Sequence, residues 1–241
     1  MKSACPYPCY RTHTSPGDIC IKTTKRISLI FFDMDGVLTD TYSSWRHIHD
    51  YFGTSNERSV DAYLKGQIDD LEFMRRDISL WTENGQLIKE DIIHNILNDI
   101  PLMKGGEEFV NFLHRHNMKT AIVSAGLDIL AKKVAKKFDI DYVFANGVKT
   151  DIEGRLTGEG ILQVPLIHKD KVVRQLSEKL KIPLEKCAAV GNSCFDVPMF
   201  EACGIGIAFN PEDDCVRKSA DIIIEGKDLR KIIPAIRHCI Q

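Results

Sequence analysis

Two aspartates, Asp33 and Asp35, follow the apolar run of residues 27–32. In an extended chain, side chains at positions i and i+2 point to the same side and lie about 7 Å apart. Two carboxylates at that spacing repel each other unless a cation lies between them or one of them holds a proton. The pair therefore predicts a cation site with acid–base chemistry, with a plain polar turn at Asp35-Gly36 as the alternative.

Two further segments offer groups that bind anions. Ser124 ends the apolar run of residues 119–125, and a hydroxyl with backbone N–H groups at a helix start binds anions, although serine is also an ordinary helix cap. A later predicted helix opens with Lys169 or Lys171, where a lysine opposes the helix dipole and so indicates an anionic partner. A solvated charge is the alternative explanation of that lysine.

Oxygen ligands also occur in the segment GNSCFD, residues 191–196, which follows another apolar run and leads into a predicted helix. Its Asn192 and Asp196 carry the side-chain oxygens. Because the segment follows a predicted strand, we expect these oxygens at the same sheet edge as the aspartate pair.

The apolar pattern predicts the elements that position these residues. Short apolar runs bounded by polar residues predict strands buried on both faces, and amphipathic segments between most of them predict helices. The predicted strands cover residues 27–33, 119–125, 141–146, 187–192, 204–209 and 220–225, and the helices include residues 105–117, 127–138 and 169–180. This alternation predicts an α/β fold with a Rossmann-like, doubly wound parallel sheet.

Two segments interrupt the alternation. Residues 41–100 contain no strand-like run, and we predict a helical cap inserted after the first strand, over the edge where ligands bind. Residues 146–165 are rich in glycine with alternating apolar positions, which predicts a β-hairpin flap. The predicted domains are a flexible leader (1–25), a core (26–40 and 101–241) and the cap (41–100).

Composition excludes several classes of protein. Of 241 residues, 44% are hydrophobic and 27% charged, which is typical of folded domains. The net charge of −2 disfavours nucleic acid as a partner. The apolar runs are too short to cross a membrane, and the first residues lack a secretory signal, so we expect a cytoplasmic protein. No feature of the sequence indicates an oligomeric state.

The leader contains a group of potential metal ligands. These are Cys5, Cys9, His13 and Cys20, which could close a zinc site. Their spacing is not a common one for zinc, so a flexible tail is the favoured interpretation. The other five cysteines lie in apolar or helical stretches and are predicted to be buried thiols.

The order of these features resembles that of the haloacid dehalogenase-like phosphohydrolases over residues 27–237. In that family an acidic pair, a hydroxyl, a lysine and an oxygen-rich loop follow one another at the carboxyl ends of strands. The chain is most similar to the phosphoserine phosphatase-type group, through the segments PLMKGGEEFVNFL, KTAIVSAGLDILAKKVAKKF, DYVFANG and ADIIIEGKDLRKII. The resemblance implies hydrolysis of a small phosphorylated metabolite.

The resemblance also implies roles for the acidic residues. Asp33 would be the nucleophile that forms an aspartyl-phosphate, and Asp35 would protonate the leaving alkoxide and then activate water. A Mg²⁺ ion would be held by Asp33, the backbone carbonyl of Asp35, Asn192 and Asp196, with Asp196 acting through metal-bound water or by fixing the lysine. At about 4 Å and a dielectric near 20, each like-charge contact with phosphate costs roughly 4 kcal/mol, which the cation offsets.

The resemblance assigns the phosphate contacts to a second group of residues. Ser124 and the N–H groups of Ala125 and Gly126 would hold phosphoryl oxygens. Lys169 is preferred over Lys171 as the active-site lysine, because it places the apolar positions of the following helix in the register of the family.

Three departures from the family pattern bear on metal and substrate. The fourth motif usually begins Gly-Asp, but here asparagine stands at position 192, which predicts weaker metal binding. Phosphoserine enzymes carry a glutamate where this chain has Tyr42, and a cap arginine where it has Asp77. Arg76, one position away, is therefore the candidate for substrate binding, and phosphoserine is one candidate among small phosphomonoesters.

Two alternative functions stay open on the sequence. A phosphotransferase or mutase would use the same aspartate and pass the phosphoryl group to a sugar. A degenerate member of the family, weakened by Asn192, would bind a phosphorylated metabolite without turning it over.

Overall fold

A computed structural model describes residues 26–240, so the predicted leader and its candidate zinc ligands lie outside the described residues. The strands are β1 (Leu29–Phe32), β2 (Thr82–Glu83), β3 (Gln86–Leu87), β4 (Lys119–Leu127), β5 (Tyr142–Thr150), β6 (Leu156–Ile161), β7 (Cys187–Gly191), β8 (Ile205–Phe209) and β9 (Ile222–Ile224). The helices are α1 (Ser44–Phe52), α2 (Glu57–Leu64), α3 (Asp70–Ile78), α4 (Glu90–Asn98), α5 (Gly106–Arg115), α6 (Asp128–Phe138), α7 (Asp170–Leu180), α8 (Val197–Ala202), α9 (Asp214–Ser219) and α10 (Ile232–Ile236).

Seven of these strands form one sheet in the order β6-β5-β4-β1-β7-β8-β9. Strand β1 lies in the middle and pairs in parallel with β4 and β7, so that Phe31 is opposite both Ala121 and Ala189. Only the β5–β6 pairing within this sheet is antiparallel. The predicted Rossmann-like, mostly parallel α/β sheet is confirmed.

The apolar core lies on both faces of the sheet. All four residues of β1 are completely buried. Their side chains alternate: Ile30 and Phe32 join the apolar cluster on one face, and Leu29 and Phe31 join the cluster on the other. Burial on both faces is why β1 has a continuous apolar run instead of an alternating one.

The inserted segment between β1 and α5 is mainly helical. Helices α1, α3 and α4 contribute Ile48, Ile78 and Ile93 to the same apolar cluster as one face of the sheet, so the cap packs directly on the core. The expectation that residues 41–100 lack strands is wrong at β2 and β3. Asn84 and Gly85 between them both have positive φ angles, 52° and 74°, which permits a two-residue hairpin turn. Strands of two residues are too short to show an alternating pattern.

The predicted flap is a hairpin of β5 and β6. Strand β5 pairs in parallel with β4 and then continues beyond it, where Val148 pairs with Gly160 of β6 in antiparallel register. Gly160 lies against α3, since a Cβ at this position would be 2.4 Å from the terminal methyl of Met74. A glycine is therefore required where the flap meets the cap. The domain boundaries at residues 40 and 100 stay a prediction.

Within residues 26–240, no helix has the length and apolar composition needed to cross a bilayer.

Candidate active site

The turn after β1 positions the aspartate pair. The Asp33 N–H donates to the carbonyl of Val190 in β7 at 2.9 Å, which extends the sheet by one residue. The chain then folds back, and the N–H groups of Leu38 and Thr39 both donate to the carbonyl of Met34. Asp33 is only 6% exposed as a result.

Lys169 lies directly against Asp33. Its ammonium is 3.0 Å from Asp33 Oδ1 and 2.7 Å from Asp196 Oδ1, and the lysine is 2% exposed. Lys169 caps the first turn of α7, while Lys171 is exposed to solvent. The structure therefore places Lys169, and not Lys171, among the acidic residues.

Asp196 is fully engaged by protein donors. Its Oδ1 accepts from Lys169, and its Oδ2 accepts from the backbone N–H groups of Asn192 at 2.9 Å and Ser193 at 3.0 Å. Of the two roles predicted for Asp196, action through metal-bound water and fixing of the lysine, the contact with Lys169 is consistent with the second. The same carboxylate also holds the backbone of the loop that carries Asn192.

Burial dominates the electrostatics of the cluster. It raises the pKa of Asp33 to about 7, with the negative charge of Asp196 adding to the rise and Lys169 opposing it. Burial also raises the pKa of Asp35, against hydrogen bonds from Ser44. Burial alone would lower the pKa of Lys169, but the carboxylates of Asp196 and Asp33 raise it above its usual value. Three carboxylates thus face one ammonium, and the site attracts a cation.

Two buried oxygens of this cluster have no hydrogen-bond donor among the described residues. They are Asp35 Oδ1 and Asn192 Oδ1. An amide oxygen beside carboxylates is a ligand that Mg²⁺ accepts, so the donor set fits the expected cation. Residues 26–240 contain no group of three or more His, Cys, Asp or Glu side chains placed to hold a metal. Asn192 is consistent with that finding, since its amide supplies an uncharged oxygen and asparagine is not one of those four residue types.

Ser44, at the start of α1, holds the second aspartate. Its N–H and its Oγ both donate to Asp35 Oδ2 at 2.8 Å, and its Oγ accepts from the N–H of Leu127 at 3.0 Å. The first turn of the cap therefore connects the β1 turn to the end of β4. Ser44 is not among the predicted site residues, because a serine at a helix start is an ordinary cap and carries no further signal in the sequence.

The Ser124 segment lies beside Asp35. Ser124 is 2% exposed, and its Oγ accepts from the Gly126 N–H at 3.1 Å. A Cβ at Gly126 would be 2.7 Å from Asp35 Oδ2, so only glycine fits there. The N–H groups of Ala125 and Gly126 were expected at a helix start, but β4 continues to Leu127 and α6 begins at Asp128. The N–H groups of Ala125 and Gly126 therefore belong to the end of a strand and not to a helix start.

Trp45 ties the cap to this segment. Its Nε1–H donates to the carbonyl of Ala125 at 3.0 Å, and its ring packs on Trp81 with the ring centres 5.2 Å apart. Asn146 of β5 donates to the same carbonyl at 3.2 Å. The cap is therefore held closed over the end of β4.

The candidate substrate residue of the cap is not brought to the cluster. Arg76 is exposed on α3, and its Nε donates to Glu72 at 2.8 Å. The next residue, Asp77, is buried, accepts from Asn56 Nδ2 at 2.7 Å and lies 3.2 Å from His49 Nε2. The helical turn of 100° per residue separates the two side chains.

Glu212 is a second residue that the sequence analysis missed. It follows β8 and accepts from Asn192 Nδ2 at 2.9 Å. Strand β8 ends at Phe209, three residues before Glu212. Polar residues that follow a parallel strand lie at the ligand-binding edge of the sheet, and this rule applied to every strand would include Glu212.

Comparison with known proteins adds the family context. Residues 27–204 match the family model of haloacid dehalogenase-like hydrolases. A phosphoserine phosphatase of Methanocaldococcus jannaschii is 28% identical over 216 residues, which cover 88% of this chain and 99% of the relative. One of Wolinella succinogenes is 30% identical over 209 residues, covering 86% and 98%. A solved phospho-aspartyl intermediate analogue of phosphoserine phosphatase matches with a TM-score of 0.74 at 27% identity, covering 88% of this chain and 99% of that one.

Proposed function

The chain belongs to the haloacid dehalogenase-like hydrolase family and is a phosphatase, and we propose that it hydrolyses a small phosphomonoester through an aspartyl-phosphate on Asp33, with Mg²⁺ as cofactor. The observation that carries the proposal is the buried contact of Asp33 with Lys169 at 3.0 Å. A carboxylate held against an ammonium at a sheet edge is equipped to meet a phosphate group. The cytoplasmic location expected from the sequence stays a prediction.

Asp33 has one oxygen oriented and one left to react. Its Oδ1 accepts from the Met34 N–H at 2.8 Å and contacts Lys169, which leaves Oδ2 to attack phosphorus. The nucleophile must be ionised, and burial works against this by raising its pKa to about 7. Bound Mg²⁺, for which Asn192 Oδ1 and Asp33 are the candidate side-chain ligands, would supply the positive charge that favours the ionised carboxylate and screens the phosphate.

Asp35 is suited to proton transfer. Burial raises its pKa, so the carboxyl group holds a proton more readily than an exposed aspartate. Ser44 fixes Oδ2 with two hydrogen bonds, which leaves the unpartnered Oδ1 to carry the proton. In the proposed reaction Asp35 gives this proton to the leaving alkoxide and later takes one from the attacking water.

Ser124 and the Ala125 N–H are proposed to hold phosphoryl oxygens. The Gly126 N–H would join them only by leaving Ser124 Oγ, to which it donates at 3.1 Å. The support is their position, since Gly126 lies against Asp35. Because Gly126 donates to Ser124 Oγ, the serine hydroxyl hydrogen is left to point toward an anion.

The proposed substrate is a small phosphomonoester rather than phosphoserine in particular. The relatives are named for phosphoserine. In this chain Tyr42 is 73% exposed, and Asp77 is buried within the cap. Neither position offers the charge that would recognise an amino-acid substrate.

The test is Mg²⁺-dependent release of phosphate from a panel of small phosphomonoesters that includes phosphoserine, with Asp33→Asn as the matched inactive variant. We expect turnover in the native chain and a loss of at least about 10⁴-fold in the variant. Turnover that survives in Asp33→Asn would contradict the proposal. Transfer of phosphate to a sugar would indicate the phosphotransferase alternative. Binding of a phosphate analogue without turnover would indicate the binding module.

A further inference from the structure

We propose that Glu212 is a positioning residue that orients the Asn192 amide toward the cation and supplies, one hydrogen bond away, the negative charge that asparagine lacks. The inference rests on the proposed function, because it concerns the metal of the same site. Nothing in the resemblance assigns a role to this position.

Glu212 holds Asn192 at two points. The Glu212 N–H donates to the Asn192 carbonyl at 2.8 Å, and Asn192 Nδ2 donates to Glu212 Oε1 at 2.9 Å. Burial raises the pKa of Glu212 to about 7. Above that pH the ionised carboxylate only accepts hydrogen bonds, so the amide must turn its NH₂ group toward Glu212. The opposite orientation would bring two oxygens together. The amide oxygen therefore points away from Glu212, where it is buried and has no donor among the described residues.

The rest of the surroundings prevents the amide from moving elsewhere. The backbone N–H of Asn192 donates to Asp196 Oδ2 at 2.9 Å. The NH₂ group of the amide also packs on the β1 turn, where a Cβ at Gly36 would be 2.2 Å from Asn192 Nδ2. Gly36 also has a positive φ of 79°, which favours glycine for a second reason. The Asn192 oxygen is thus presented beside the turn that carries Asp35.

The carboxylate also changes the amide electronically. A hydrogen bond from an amide N–H to a carboxylate is charge-assisted, and it increases the electron density on the amide oxygen. Partners of metal ligands commonly affect metal affinity by about 10- to 100-fold. An aspartate at position 192 would carry its own charge, and it would then face Glu212 across about the same short distance. In the native pair the negative charge therefore lies on Glu212, one hydrogen bond further from the cation than the charge of an aspartate at position 192 would be.

This pairing makes a prediction for a double-mutant cycle in the full chain. Glu212→Gln keeps an acceptor oxygen but removes the charge, and its own NH₂ group can compete for the Asn192 oxygen. We expect it to weaken Mg²⁺ binding at least about 10-fold when residue 192 is asparagine. In the Asn192→Asp chain the same change should weaken binding less than about threefold or strengthen it, because the aspartate needs no orientation.

Binding of Mg²⁺ alone, measured by isothermal titration calorimetry at pH 8, where Glu212 is ionised, is the readout, and it is independent of turnover. Asp214→Asn is the matched control, since it removes an equal charge from an exposed residue nearby and should leave the affinity within about twofold. Glu212→Ala, which removes both bond and charge, should weaken binding at least as much as Glu212→Gln. Circular dichroism checks that each variant is folded.

The outcomes separate this inference from the proposed function. An unchanged affinity in Glu212→Gln, or equal losses in both backgrounds, overturns the role of Glu212 while Mg²⁺-dependent turnover stands. A native chain that binds no Mg²⁺ overturns both. A loss confined to the asparagine background supports the positioning role.

Discussion

The ammonium of Lys169 lies 3.0 Å from Oδ1 of Asp33, and both side chains are almost completely excluded from solvent. One residue opens α7 and the other follows β1, so the contact joins two neighbouring parts of the sheet edge. The same ammonium lies 2.7 Å from Asp196. With both carboxylates ionised, the buried group carries one negative charge in excess. Removal of the lysine would leave two buried carboxylates without a counter-charge, which is far more costly than loss of an exposed ion pair.

Lys169→Met should therefore destabilise the protein. We expect a fall in the free energy of unfolding of about 3–5 kcal/mol at pH 8, because the two carboxylates stay buried and unpaired. Urea denaturation followed by circular dichroism measures it. Lys171→Met is the matched control, since it changes an exposed lysine two positions away and should cost less than about 0.5 kcal/mol. Equal losses in the two variants would contradict the buried pairing.

The metal-free protein should lose stability as pH rises. Burial raises the pKa of Asp33 from 3.8 to about 7, so the native state holds a proton that the unfolded chain has released. The resulting stability is fully present below about pH 3.8 and is lost as pH rises through about 7. Asp35, whose pKa is also raised by burial, acts in the same direction. One pKa unit corresponds to about 1.4 kcal/mol, and each kcal/mol to about 2–4 °C in Tm for a chain of this size.

Thermal unfolding in EDTA between pH 5 and pH 8 tests this expectation. The Tm should fall by several degrees over the range, and the fall should be smaller in Asp33→Asn, which has lost the titrating group. Added Mg²⁺ should raise the Tm more at pH 8 than at pH 5, because it binds the ionised carboxylate. A Tm that rises steadily with pH in the metal-free protein would show that Asp33 is ionised throughout.

Trp45 provides a test of cap closure. Trp45→Phe keeps an aromatic ring against Trp81 but removes the hydrogen bond to the Ala125 carbonyl. A bond of this kind contributes about 1 kcal/mol, so the ratio of closed to open protein should fall about fivefold, and the KM should rise by up to that factor. Tyr51→Phe, on the exposed side of α1, is the control and should leave the KM unchanged. A KM for Trp45→Phe equal to that of the control would show that closure does not depend on this bond.

The two tryptophans of the chain, Trp45 and Trp81, both lie in the cap. Movement of the cap on binding should therefore change their fluorescence when a phosphate analogue binds with Mg²⁺. The change should be absent in Asp33→Asn, where the analogue has lost its covalent partner. No change in the native chain would place the tryptophans outside the motion, and an equal change in both proteins would show that the signal does not depend on Asp33.

The sheet could be predicted because its strands are buried on both faces. Continuous runs such as that of β1 are recognisable without any partner, and the carboxyl ends of parallel strands meet at one edge. This reasoning brings Asp33, Ser124 and Asn192 to one place from sequence alone. It does not show which way the Asn192 amide is turned, since that depends on Glu212, a residue on another loop.

Contacts between distant segments explain the other misses. Ser44 reaches Asp35 only because the cap turns back over the β1 turn, and a serine at a helix start carries no such information by itself. The hairpin of β2 and β3 is too short to give a pattern. Arg76 is predicted to bind substrate because it is next to Asp77 in sequence. Successive side chains of α3, however, point in directions that differ by 100°.

Arg76→Gln should change the KM for any phosphomonoester substrate by less than about twofold, because its guanidinium is exposed and already bound to Glu72. Arg75→Gln is the matched variant, since Arg75 lies one position away and its Nε donates to Glu159 of the flap at 3.0 Å. Steady-state kinetics of the two variants separates the roles. If Arg76 bound the substrate, its variant would raise the KM about tenfold or more and leave the flap contact intact. We expect the larger change in Arg75→Gln, since it removes a contact between α3 and the flap, whereas Arg76→Gln removes only a contact within α3.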